Sequence, residues 1–167
     1  MTIASFDHLP LEEKRELLHK CCSSGQWVNF MIDLLPYEDL VDVLEDAEQV
    51  WYNCDEMAWL EAFSHHPKIG DLSSLESKFA STKELAGEEQ SGIKNANDDT
   101  LVELAELNRQ YESKNGFVFI ICATGLSSDE MMEGIKKRLG NDRQSELEIA
   151  AEEQNKITKL RLEKLFV

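Results

Sequence analysis

The pair His65-His66 ahead of Pro67 is the place in this 167-residue chain where residue type and spacing most directly suggest chemistry. Imidazole exchanges a proton near neutral pH without help from its surroundings. Pro67 biases His66 away from the helical region and Gly70 frees the backbone again, so Ser64 to Asp71 reads as a loop holding two imidazoles. A metal site is the competing reading. Adjacent side chains before a proline rarely converge on one ion, however, and no His-x-x-x-His or cysteine partner lies nearby; His8 and His19 belong to a distant N-terminal stretch. General acid or base work is the leading functional option for this loop, and no metal is expected.

A second candidate is a misplaced charge. Ala150, Gln154, Ile157, Arg161 and Leu165 are spaced by four, three, four and four residues, which is one face of a helix, so Arg161 falls in an apolar stripe. Its guanidinium either snorkels to the edge of the stripe and pairs with a carboxylate, or offers a planar, permanently charged fork to a substrate carboxylate or carbonyl. Glu88, Glu89 and Gln90 are equally open between a solvated surface and a polar site, because acidic neighbours are common in this chain. Cys122, inside an apolar run, reads as a small core residue. No Gly-rich phosphate loop and no Gly-x-Ser-x-Gly elbow occurs, which argues against nucleotide-dependent chemistry and an elbow-type serine hydrolase.

These residues need a scaffold, and the pattern around them is helical. Leu11, Leu17, Leu18, Cys21 and Cys22 form one stripe behind Pro10; Trp27 to Leu35 is a short apolar segment stopped by Pro36; Leu40, Val41, Leu44, Ala47, Val50 and Trp51 keep a three-and-four rhythm. Asp55 reads as an N-cap for Met57 to Phe63, and Ser74 to Gly92 as a mostly polar helical stretch. Asp98 and Asp99 open an amphipathic helix that Asn115-Gly116 closes. Ser127 and Glu130 have capping-box spacing before a helix ended by Gly140, and a last helix runs from about Ser145 to Leu165. Phe117 to Ala123 is the one β-branched and aromatic run. With no second strand to pair with, it is expected as an extended or helical segment buried inside a helical protein and lining a cavity. The expected fold is one all-α, bundle-like domain over residues 1–167.

Composition bounds the partners. Seventeen Lys plus Arg against 33 Asp plus Glu give a net charge of −16, a field that repels nucleic acid and anionic membranes, while an anionic small substrate would need a locally placed cation such as Arg161. Four cysteines without a Cys-x-x-Cys pair read as reduced thiols. The first ten residues lack a basic region followed by an apolar one, and the last four do not form a peroxisomal address, so a cytoplasmic location is expected.

Taken together, the segments Trp59 to Asp71, Glu89-Gln90, Leu104 to Tyr111, Gly116 to Ala123, and Glu148 through Arg161-Leu162 resemble the OHCU decarboxylases, in the right order and over nearly the whole chain. Those enzymes act on 2-oxo-4-hydroxy-4-carboxy-5-ureidoimidazoline (OHCU) in the oxidative breakdown of urate. The resemblance implies an all-α, cofactor-independent homodimer that makes (S)-allantoin. It also implies His66 as the catalytic acid, Glu89 as its acidic partner and Arg161 as the substrate-orienting cation. Pro67, the stretch Ala86, Gly87, Glu88 and Gln90, and the backbone of Phe119, Ile120, Ile121, Cys122 and Ala123 would line the substrate pocket. His65 and Ala86 depart from residues that relatives carry there. Two readings of other classes compete: an acidic, non-catalytic helical interaction module, and a metal-dependent helical hydrolase.

Overall fold

The computed structural model describes residues 1–68 and 98–167. Among these, regular structure is entirely helical: α1 (Ile3–Asp7), α2 (Leu11–Cys21), α3 (Gly25–Asp33), α4 (Leu40–Asn53), α5 (Glu56–Ser64), α6 (Asp98–Asn115), α7 (Ser128–Arg138) and α8 (Arg143–Leu165). The all-α expectation therefore holds for the described residues. The expected helical stretch from Ser74 to Gly92, and with it Ala86, Gly87, Glu88, Glu89 and Gln90, lies outside them. The chain divides into two compact units, one made of Met1–Ala62 with Asn155–Val167 and one of Phe63–Gln154.

In the first unit, side-chain caps decide where helices begin. The Ser24 hydroxyl accepts the Trp27 amide, which starts α3 at Gly25, earlier than its apolar residues alone suggest. Asp39 accepts the Asp42 amide at 3.0 Å and opens α4. Asp55 accepts the Ala58 amide at 2.9 Å, as its place before Met57 predicts. Each bond satisfies an amide that the helix itself leaves without a partner, a contribution of about 1 kcal/mol per cap. Helix α2 packs on α3 and α3 on α4, burying Leu18, Trp27, Met31, Val43, Ala47 and Trp51. Burial of an indole also requires a partner for its N–H. Trp27 Nε1 donates to the Ala47 carbonyl at 3.0 Å, and Trp59 Nε1 to the Trp51 carbonyl at 3.0 Å.

The second unit is built around the run Phe117 to Ala123. Gly116 closes α6 with φ of +81°, a left-handed value that L side chains seldom adopt, and its amide reaches the Glu112 carbonyl at 2.8 Å. Ser127 and Glu130 form the complete reciprocal capping box expected of them, and α7 starts there. Between these points the run forms neither strand nor helix. Of the two conformations left open by the sequence, it takes the non-helical one. Phe117, Phe119, Ile120 and Ala123 are buried, whereas Val118, Ile121 and Cys122 are half-buried. Phe117 packs on Phe63 and Tyr111, with centroids 5.4 and 5.9 Å apart, and Phe119 lies edge-on to Tyr111 at 5.1 Å.

Candidate active site

A buried segment outside helix and sheet must satisfy its backbone polar groups some other way. Here side chains do so. Arg138 Nη1 donates to the Ile120 carbonyl at 2.6 Å, and Glu153 Oε2 accepts the Cys122 amide at 2.7 Å. Arg138 is in turn held by Glu146, which accepts its Nε at 2.9 Å, and by the face of Phe119, 4.4 Å from the guanidinium carbon. The Tyr111 hydroxyl donates to the same Glu146 oxygen, and Asn141 Nδ2 donates to the other at 2.7 Å. Arg138 is 8% exposed and Glu146 is fully buried, so this ion pair is desolvated and needs these additional bonds to be tolerated. Burial, together with the bond to Glu146, pushes the Tyr111 hydroxyl pKa well above its ordinary value, and the Arg138 charge opposes the rise without cancelling it.

His66 sits just beyond α5, its amide bonded to the Phe63 carbonyl at 3.0 Å, in the loop its proline neighbour predicts. It is half-buried, Pro67 is buried and His65 is exposed, so the two imidazoles occupy different environments. His66 Nε2 lies 2.6 Å from Oε1 of Gln154, which is fully buried. Gln154 directly follows Glu153 on α8. Consecutive residues of one helix thus hold the histidine loop and the non-helical segment, which lie 88 and 31 residues away in sequence from their respective partners. Among the described residues, charged neighbours of this loop and of Gln154 along the chain include Lys68, paired with Glu112 at 2.6 Å, and Glu153.

Arg161 belongs to the first unit and is 6% exposed, so the apolar stripe does bury it. Its Nη1 points toward the carbonyl oxygens of Lys20 and Cys21, at 3.5 and 3.4 Å. The guanidinium also acts on Cys22: burial drives that thiol's pKa far up, while a hydrogen bond to Thr158 and the Arg161 charge pull partly against the rise. All four cysteines are free thiols; three are buried, whereas Cys122 is half-buried rather than a core residue. Among the described residues no three His, Cys, Asp or Glu side chains are grouped as a metal site requires, and no helix is long and apolar enough to cross a membrane.

Of the residues singled out in the sequence, the second unit holds His66, Pro67 and Phe119 to Ala123, and the Glu153-Gln154 step of α8 bonds to two of them, Cys122 and His66. Two participants escaped notice. Glu153 looked like any other acid in a chain with 33 of them. Gln154 did carry a signal, a carboxamide in an apolar stripe, but that stripe drew attention to Arg161 alone.

Comparison with known proteins identifies the family. The OHCU decarboxylase family pattern matches residues 7–163. The uric acid degradation bifunctional protein TTL of Arabidopsis thaliana is 40% identical over 149 residues, which are 87% of this chain and 45% of that protein. The 2-oxo-4-hydroxy-4-carboxy-5-ureidoimidazoline decarboxylase of Amia calva is 36% identical over 88 residues, 52% of this chain and 50% of the other. This chain spans about half the length, or less, of the curated relatives it matches. A crystal structure of OHCU decarboxylase in the presence of (S)-allantoin superposes with a TM-score of 0.75 at 38% identity, covering 89% of this chain and 95% of that one. By sequence pattern, by identity and by fold, the chain belongs to the OHCU decarboxylase family.

Proposed function

We propose that this chain decarboxylates OHCU to (S)-allantoin in urate breakdown, with His66 as the proton donor and no metal or organic cofactor. The observation that carries the proposal is the family pattern over residues 7–163; the bonds from Gln154 to His66 and from Glu153 to Cys122 support the choice of site. The solved relative crystallised in the presence of (S)-allantoin supports the choice of product.

The substrate carries its own electron sink. Breaking the bond to the carboxyl group releases carbon dioxide and leaves an electron pair on the ring carbon that bears the hydroxyl. The adjacent ring imine accepts it, giving an enol. A proton delivered to one face of the carbon bearing the ureido group, with transfer of the hydroxyl proton to the ring nitrogen that took the charge, then yields allantoin of one hand. The protein has only to orient the substrate, place charge and supply that proton. In this reading His66 is the acid, Glu89 supports its charged form and binds the ring hydroxyl or amide, and Arg161 holds the carboxylate or ureide. Pro67, Ala86 to Gln90 and the backbone of Phe119 to Ala123 line the pocket. Residues 1–167 act as one domain, working as a cytoplasmic homodimer.

The test generates OHCU from urate with upstream enzymes and follows the circular dichroism of allantoin. His66→Ala should lose on the order of a hundredfold to ten-thousandfold of the stereospecific rate with an unchanged far-ultraviolet spectrum, and His65→Ala should lose almost none. A folded His66→Ala protein producing (S)-allantoin at the wild-type rate would remove His66 from the mechanism.

A further inference from the structure

Gln154 is fully buried, and its Oε1 lies 2.6 Å from His66 Nε2. A carbonyl oxygen of a carboxamide only accepts, so a bond of this length requires the hydrogen to be on the histidine nitrogen. One ring nitrogen is thereby committed, and the other is Nδ1. We propose that Gln154 is the positioning residue of His66: it accepts the Nε2 hydrogen in both charge states of the ring and leaves Nδ1 as the atom that gives up the proton. The inference rests on the reading of His66 as the acid.

The choice of a neutral acceptor has a chemical consequence. A carboxylate at this position would favour the imidazolium and make it a weaker acid, whereas a carboxamide fixes the ring's direction without adding a full charge. After transfer from Nδ1, the neutral ring keeps its Nε2 hydrogen and its bond to Gln154. Neither protonation nor deprotonation then requires the ring to turn. The loop is held at its base as well, because the His66 amide donates to the Phe63 carbonyl at 3.0 Å. A loss of aim at the ring would thus be confined to position 154.

Two variants separate the possibilities. Gln154→Leu removes the acceptor at similar volume; Gln154→Glu keeps an accepting oxygen and adds charge. Long-range proton–nitrogen correlation spectra of the nitrogen-labelled protein should show His66 in wild type as the Nε2-protonated neutral form, with that hydrogen slow to exchange with water. In Gln154→Leu the slow exchange should be lost, and kcat should fall on the order of tenfold with KM within about twofold. In Gln154→Glu the slowly exchanging hydrogen should persist, and the alkaline limb of the rate profile should move to higher pH, by about one unit, because the protonated ring is favoured. Lys68, Glu112, Glu153 and the acid proposed as the partner of His66, Glu89, are common to all three proteins, so a difference between them reports on position 154. A wild-type ring protonated at Nδ1, or Gln154 variants with wild-type exchange and pH profile, would overturn the proposal. His66→Ala with an unimpaired rate would instead overturn the assignment of the acid, whatever the spectra show.

Discussion

Each unit buries one arginine, and the two are used differently. Arg138 is 8% exposed and Arg161 6%, so burial does not distinguish them. Arg138 meets a fully buried carboxylate at 2.9 Å, a carbonyl at 2.6 Å and an aromatic face at 4.4 Å. Arg161 reaches backbone carbonyls at 3.4 and 3.5 Å and bears on a buried thiol. The partners, more than the burial, decide what a hidden charge does. Arg138 locks a piece of backbone in place, which makes it part of the scaffold, whereas Arg161 is the cation that the family resemblance assigns to substrate.

The comparison breaks most visibly at Arg138. Arg138→Met should cost about 3–5 kcal/mol of stability, because Glu146 stays buried without its partner. Urea unfolding would measure the loss. The double variant Arg138→Met with Glu146→Leu should recover most of it, and failure to recover would mean that packing against Phe119 outweighs the ion pair.

Arg161→Lys should leave the unfolding midpoint closer to wild type than Arg138→Met does, and should raise KM for OHCU about tenfold, since an ammonium does not reproduce a planar fork. Steady-state kinetics and urea unfolding on the same preparations would read both effects. If Arg161→Lys unfolds as readily as Arg138→Met and its KM is unchanged, the two arginines are alike and the comparison fails.

The smallest effect is the alkaline one. Burial pushes the Cys54 thiol up to about 11, and Cys22 is raised by the same cause. The unfolded chain ionises these thiols near their ordinary value of about 8.5, so their contribution to stability is complete below that pH. It is lost progressively as pH rises toward the folded-state values. Stability measured at pH 8, 9 and 10 should therefore fall, and fall less steeply in Cys54→Ala. An identical slope in that variant would show that Cys54 titrates alike in both states.

Much of the architecture was legible from local signals. Asp55 as a cap, the Ser127–Glu130 box, Gly116 as a helix end, the loop at Pro67 and the place of Arg161 in an apolar stripe all depend on residues within about one helical turn or on a periodic stripe. The same local reasoning singled out His66 and the apolar run, and left that run undecided between extended and helical.

Tertiary structure decided the rest. The run is non-helical because Arg138 and Glu153 satisfy backbone groups that a helix would have satisfied internally. The bond from Gln154 to His66 spans 88 residues, and that from Tyr111 to Glu146 spans 35. Nothing within a few residues marks either one, since a buried glutamate and a solvated one have the same neighbours along the chain. The sequence by itself determined helix ends such as those at Asp55, Gly116 and Ser127, and which imidazole lies before the proline. Which polar side chains would lose water and take one another as partners was determined only when the helices packed, because desolvation depends on everything that surrounds a group and not on its place in the chain.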